Sequence, residues 1–169
     1  MPLLSLSQSP GHRHLDFARR FVGVTEVTRN SSPEIDRMLA YVGLRPGTPY
    51  CAAFVSYVIG NAGAVFPTVR SGLASNFITA RSIRASDVLI GIRTVPPGSI
   101  VIWRRGNTIF GHAGFAESWQ KDSGRTIEAN TSSGNIGSQS DGDGIYERTR
   151  RIVPGSHFRI VSFTPVKYE

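Results

Sequence analysis

Pro96-Pro97-Gly98-Ser99-Ile100-Val101-Ile102-Trp103 divides the chain into two unlike halves. Two prolines and a glycine stop any helix that runs into them. The five residues that follow are mostly apolar and β-branched or aromatic, which is strand composition. Downstream the same short rhythm continues. Gly111-His112-Ala113-Gly114-Phe115-Ala116-Glu117 predicts a second strand, residues 125–130 a third, 145–149 a fourth and 158–163 a fifth. Residues 131–144, dominated by Ser, Gly, Asn and Asp, predict a loop.

Upstream the periodicity is helical. Leu15, Ala18, Phe21 and Val22 recur at helical spacing, with Arg19 and Arg20 on another face, so residues 14–24 predict a helix. Ser32-Pro33-Glu34 is a helix start, followed by the apolar face Ile35, Met38, Leu39 and Val42 and a stop at Gly43. After a proline turn over 45–49, residues 50–59 predict a third helix ending near Gly60 or Gly63. It is apolar on nearly every side and is therefore expected to be buried. Residues 71–93 predict one more helix and a connecting loop. Helices first and strands after is the α+β layout.

At 169 residues the chain can bury about 70% of the surface its unfolded form exposes, so a core needs no disulfide or metal. The composition excludes coiled coil, collagen and extended disorder. Residues 1–11 predict a loose tail. No repeat, low-complexity block or linker divides the remainder, so 12–169 is expected to be a single domain. One cysteine excludes an internal disulfide and a cysteine-based zinc site. The net charge of +7 favours anionic partners such as nucleic acid, anionic lipid or an acidic polymer like bacterial wall, or it carries no functional meaning. No apolar run approaches the roughly 18 residues of a membrane span. The N-terminal MPLLSLSQSPGHRHLDF lacks a basic n-region, and its apolar run breaks at Ser5, Ser7 and Gln8, so no secretory signal is expected.

The chemistry-bearing residues follow the same order along the chain. Cys51 opens the third helix, where unpaired N–H groups and the positive dipole end favour thiolate over thiol. His112 opens a strand after Gly111, which leaves room for a group to approach the imidazole. Glu128 and Asn130, two apart on one strand, are expected to share a face with Thr126. A carboxylate or amide there can orient a histidine and steady its charged form. Singly, each fits a plainer role: a small core cysteine, a satisfied histidine, a polar stripe on a sheet. His12, His14 and His157 form no metal-ligand spacing and are expected at the surface or in the tail.

Together these pieces resemble the cysteine, histidine-dependent amidohydrolase/peptidase (CHAP) family, relatives of the papain-like NlpC-type wall hydrolases. The matching stretches are GVTEVTRNSSPEIDRML, PGTPYCAAFVSYVIGNAGA, PPGSIVIWRRG, GHAGFAES and TIEANTSSG, spanning residues 23 to 134. The resemblance implies a papain-like fold with the nucleophile on a helix packed against an antiparallel sheet. It implies that Cys51 is the nucleophile, His112 the general base, and Glu128 and Asn130 its polar supports, with Glu128 preferred as the direct orienter. The backbone N–H of Cys51 would supply part of an oxyanion hole. Tyr50 stands where the family often has Trp, so it is expected to line the substrate pocket. Glu26 and Asn30 match a recurring stretch, as structural or cleft-lining residues.

Some family members carry a calcium site formed by acids just before the nucleophile. Residues 44–50 contain none, so no metal or cofactor is expected. Asp141-Gly142-Asp143-Gly144 has a calcium-loop look but lacks the further ligands and terminal Glu of an EF-hand; a tight glycine turn is expected instead. The expected activity is cleavage of a peptidoglycan amide bond, by an N-acetylmuramoyl-L-alanine amidase or a peptidoglycan endopeptidase. The expected partner is bacterial peptidoglycan, not nucleic acid. A monomer is expected, with a delivery or immunity partner if the protein is an injected effector. It would be made in the cytoplasm and act in the periplasm or on the wall after release or export. The alternative is a non-catalytic basic module that binds acidic wall polymers.

Overall fold

A computed structural model describes residues 12–134 and 138–169. The expected tail at 1–11 lies outside the described residues. The chain runs α1 (Arg13–Arg19), α2 (Pro33–Tyr41), α3 (Cys51–Asn61), a 3-10 turn (Ala74–Phe77), β1 (Ile83–Arg84), α4 (Ala85–Leu89), β2 (Ile100–Arg105), β3 (Gly111–Gln120), β4 (Ser123–Thr131), β5 (Gly144–Arg151) and β6 (Phe158–Thr164). The strands form one sheet in the order β1-β6-β2-β3-β4-β5, and every neighbouring pair is antiparallel. The fold is α+β.

Helix α2 begins where its sequence says it should. Ser32 is extended, and its hydroxyl accepts the N–H of Ile35 at 3.3 Å. Pro33 occupies the first turn, and Glu34 and Asp36 complement the helix dipole there. Gly43, at φ +76°, turns the chain out of the helix. Helix α3 buries Ala52, Ala53, Phe54, Val55, Val58 and Ile59. These pack with Leu15, Ile35, Met38 and Leu39 from α1 and α2 against Ile100, Ile102, Ala113, Phe115 and Ile127 of the sheet.

The other apolar residues of β2, Val101 and Trp103, join a second cluster with Ala116, Ile160 and Phe163 under Ile83, Ala85 and Val88. Because β-strand side chains alternate, the unbroken apolar run of β2 reports burial on both faces of the sheet.

Two segments depart from the sequence expectation. The first helix spans seven residues and not eleven. Beyond it, Phe21 and Val22 bond back only three residues, and Gly23 adopts φ +93°. Gly23 donates its N–H to Ile145 O, and Ile145 donates to Val24 O. Pairing with the sheet edge competes there with the helix ladder. The helix expected within 71–93 is a 3-10 turn, a two-residue strand and the five-residue α4. The Ser71 hydroxyl accepts from Leu73 N–H and Asn76 Nδ2, and Ile83 pairs with Phe163. A local side-chain bond and a long-range strand pairing remove the residues a longer helix needs.

Candidate active site

Helix α3 aims its first turn at the start of β3. No side chain caps it and no acidic residue occupies its first turn, so its N–H groups and positive dipole end remain available to an anion at residue 51. Cys51 retains 6% of its surface, and His112 and Glu128 retain none. The backbone N–H groups of Ala113 and Ala52 point at the sulfur.

Cys51 and His112 act on each other. Burial alone would raise the Cys51 thiol, but its hydrogen bond to His112, the imidazole's charge and the two backbone N–H groups bring it below its usual value. Burial alone would lower His112. Its hydrogen bonds to Cys51 and Glu128 and their charges lift it to about 9. With Nε2 on Glu128, Nδ1 of His112 is the nitrogen left for the thiol and has no other hydrogen-bond partner. Both shifts favour the thiolate–imidazolium form of the pair.

The far side of the imidazole is held firmly. Nε2 of His112 lies 2.9 Å from Oε2 of Glu128. Thr126 donates its hydroxyl to Oε1 at 2.6 Å. Arg150 donates from Nε to Oε1 at 2.7 Å and from Nη2 to Oε2 at 2.6 Å. Burial would raise the Glu128 carboxyl, yet the Arg150 and His112 hydrogen bonds and charges bring it down to about 2. Trp103 meets the imidazole edge-on with ring centroids 5.1 Å apart, and Phe158 lies 6.2 Å away. Gly114 stands opposite Glu128 in the sheet, where a Cβ would fall 2.7 Å from Glu128 Cγ. A glycine there makes room for the carboxylate.

Asn130 departs from the alternation expected of it. It is fully buried at φ +59°, and the β4–β5 register shifts between Ala129 and Thr131. This bulge breaks the two-residue repeat that would have stacked Asn130 on Glu128. Neither side-chain nitrogen nor oxygen of Asn130 has a partner, so no hydrogen bond joins it to His112. Of the two expected supports, Glu128 makes the contact.

Tyr50 is fully buried and presents no surface to a ligand. Its hydroxyl donates to Glu26 Oε1 at 3.2 Å and accepts the backbone N–H of Asn130. Asn30, at φ +53°, donates its N–H to Glu26 Oε2 at 2.8 Å and its side-chain amide to Gly47 O at 3.3 Å. Glu26 thus ties Asn30 and Tyr50 together. The tie braces the turn that enters α3. At the glycine turn before β5, Asp143 accepts from Tyr146 and Asp141 pairs with Arg29.

Two residues were not anticipated from the sequence. Arg150 lay beyond the expected end of its strand; its signal was the i, i+2 pair Arg148 and Arg150, which places two cations on one strand face. His14 was expected at the surface but is fully buried. Its Nε2–H donates to Gly98 O at 2.7 Å, and its Nδ1 accepts from the Tyr168 hydroxyl at 2.8 Å. His14 does not belong to the site; it fastens the first helix to the C-terminal segment.

The family model described as the CHAP domain matches residues 43–135. That span holds Cys51, His112, Glu128 and Asn130. No curated protein and no solved structure matches the chain.

Proposed function

The chain belongs to the CHAP domain family, whose members are in general amidohydrolases and peptidases of the cell wall, and from that membership we propose that it is a cysteine-dependent peptidoglycan hydrolase. The reading rests on one observation: Cys51 at a helix N-terminus, His112 beside it, and Glu128 holding the far nitrogen of the imidazole at 2.9 Å.

The Cys51 thiolate attacks the carbonyl carbon of a peptidoglycan amide. The oxyanion that forms is met by backbone N–H groups of the first α3 turn, that of Cys51 among them. The C–N bond breaks as the His112 imidazolium delivers its proton to the departing amine. A thioester remains on the sulfur. Water then attacks that carbonyl while His112 takes its proton. The carboxylic acid leaves, and the thiolate–imidazolium pair is restored. Glu128 keeps the imidazole oriented throughout and balances its charge. The bond cleaved lies in the peptide stem or its cross-bridge, or joins the stem to the sugar. Among the described residues no helix is long and apolar enough to cross a membrane, and the protein acts at the wall after release or export.

Mass spectrometry of products released from purified walls tests this. The expected result is a defined set of muropeptides with the wild type and none with Cys51→Ala. Stems or cross-bridges cut internally but still attached to sugar identify an endopeptidase; intact stems freed from sugar identify an amidase. Identical product sets from both proteins would sink the proposal, and wall binding without products would favour the non-catalytic basic module.

A further inference from the structure

Three charges converge in the buried site when it is poised to react: a thiolate at Cys51, an imidazolium at His112 and a carboxylate at Glu128. They sum to one uncompensated negative charge in a place with almost no access to water. Burying a net charge is costly unless it is paired and hydrogen-bonded. One cation reaches Glu128 besides His112. Arg150 closes a two-pronged contact on its carboxylate, Nε to Oε1 and Nη2 to Oε2, with the arginine side chain 14% exposed.

We propose that Arg150 is a positioning residue for this site: it locks the plane of the Glu128 carboxylate against His112 and renders the buried Cys51–His112–Glu128–Arg150 set electrically neutral. The inference rests on reading Cys51 as the nucleophile and deepens that reading.

A planar guanidinium that grips both oxygens removes the rotation a carboxylate would otherwise keep. With Thr126 also on Oε1, the remaining direction from Oε2 faces His112 Nε2. The guanidinium is itself fixed from several sides. Nη1 donates to Gln139 Oε1 at 3.0 Å, and Nη2 donates to Thr131 Oγ1 at 3.2 Å and to Gln139 O at 3.3 Å. It lies 5.9 Å from the centroid of the Trp103 ring, the ring that also buttresses His112. The neighbouring Arg148 does not share the role; it donates to Ser132 O and Gln139 Oε1. Lysine could supply the charge but not the fork.

The test is the rate at which iodoacetamide alkylates Cys51 as a function of pH. It reads the thiolate directly and needs no wall substrate. The variants are Arg150→Gln and Arg150→Lys, with Arg125→Gln as a surface control and a thermal melt to verify folding. Loss of the cation disfavours the thiolate. The acid limb of the Arg150→Gln profile is therefore expected to move to higher pH by about one unit, and that of Arg150→Lys by less. A folded Arg150→Gln protein whose profile overlays the wild type overturns the proposal. Should that variant not fold, Arg150→Lys decides: an upward shift supports the role and an unchanged profile overturns it. Wall hydrolysis measured in parallel separates the two readings. A wild type without wall activity but with a shifted Gln profile leaves Arg150's role standing and removes only the proposed substrate.

Discussion

His112 Nε2 and Glu128 Oε2 stand 2.9 Å apart with both side chains fully buried, and the carboxylate oxygens also accept from Thr126 and Arg150. Glu128→Gln keeps the shape but removes the charge that balances the imidazolium and the guanidinium. Turnover on purified walls is expected to fall about 100-fold or more. Leaving Arg150 without its counter-ion is expected to cost about 3–5 kcal/mol in urea-unfolding free energy. A variant with native turnover would show that the contact is only structural.

Cys51→Ala and Cys51→Ser are expected to release no muropeptides while melting within a few degrees of the wild type, since either change removes or replaces one small atom. His112→Ala is expected to be equally inactive. Lysis by either Cys51 variant at the wild-type rate would end the thiol mechanism.

The Cys51 thiol is lowered from its ordinary 9 and His112 is raised to about 9. The ion pair therefore exists from the thiol's lowered value up to about pH 9. Alkylation of Cys51 is expected to set in at lower pH than that of an unassisted thiol. Hydrolysis, which needs the imidazolium as acid, is expected to decline above about 9. An alkylation rate that climbs only near pH 9, as for an unassisted thiol, contradicts the pairing.

His14 bears on acid stability. Burial lowers it from 6.5 to about 4, against the opposing hydrogen bond to Gly98. Above pH 6.5 the ring is neutral whether the chain is folded or not, and stability is unaffected. Between 6.5 and about 4 only the unfolded chain takes up the proton, so stability falls as pH falls, by on the order of 3 kcal/mol in all. Urea midpoints across this range are expected to slope accordingly, and His14→Gln is expected to flatten that part of the slope. Equal slopes in the two proteins would reassign the acid sensitivity.

Gly114→Ala would place a Cβ 2.7 Å from Glu128 Cγ and 2.9 Å from Ile127 O. A destabilisation of about 1–3 kcal/mol is expected, together with slower wall hydrolysis as Glu128 is displaced from His112. Unchanged stability and turnover would mean that β3 and β4 can part locally without disturbing the site.

The order of elements was legible because its causes are local. Ser32 with Pro33 starts a helix by itself, and the β2 run carries its own β preference. Cys51 at a helix start and His112 at a strand start could likewise be read directly, since each depends on a few adjacent residues. The shortened first helix and the broken 71–93 segment were less legible. There the competing bonds come from Ile145 and Phe163, far along the chain.

The amino-acid sequence alone therefore determined the α+β layout, the family, and which side chains could carry a thiol reaction. Tertiary structure decided which of them touch. A bulge at Asn130 interrupts the repeat that Glu128 keeps, and its amide is left without a hydrogen-bond partner. The same folding brings Arg150 from the neighbouring strand onto Glu128 and seals His14 against Gly98 and Tyr168. These pairings join residues far apart in the chain, so no local preference encodes them; they follow from packing both faces of one sheet.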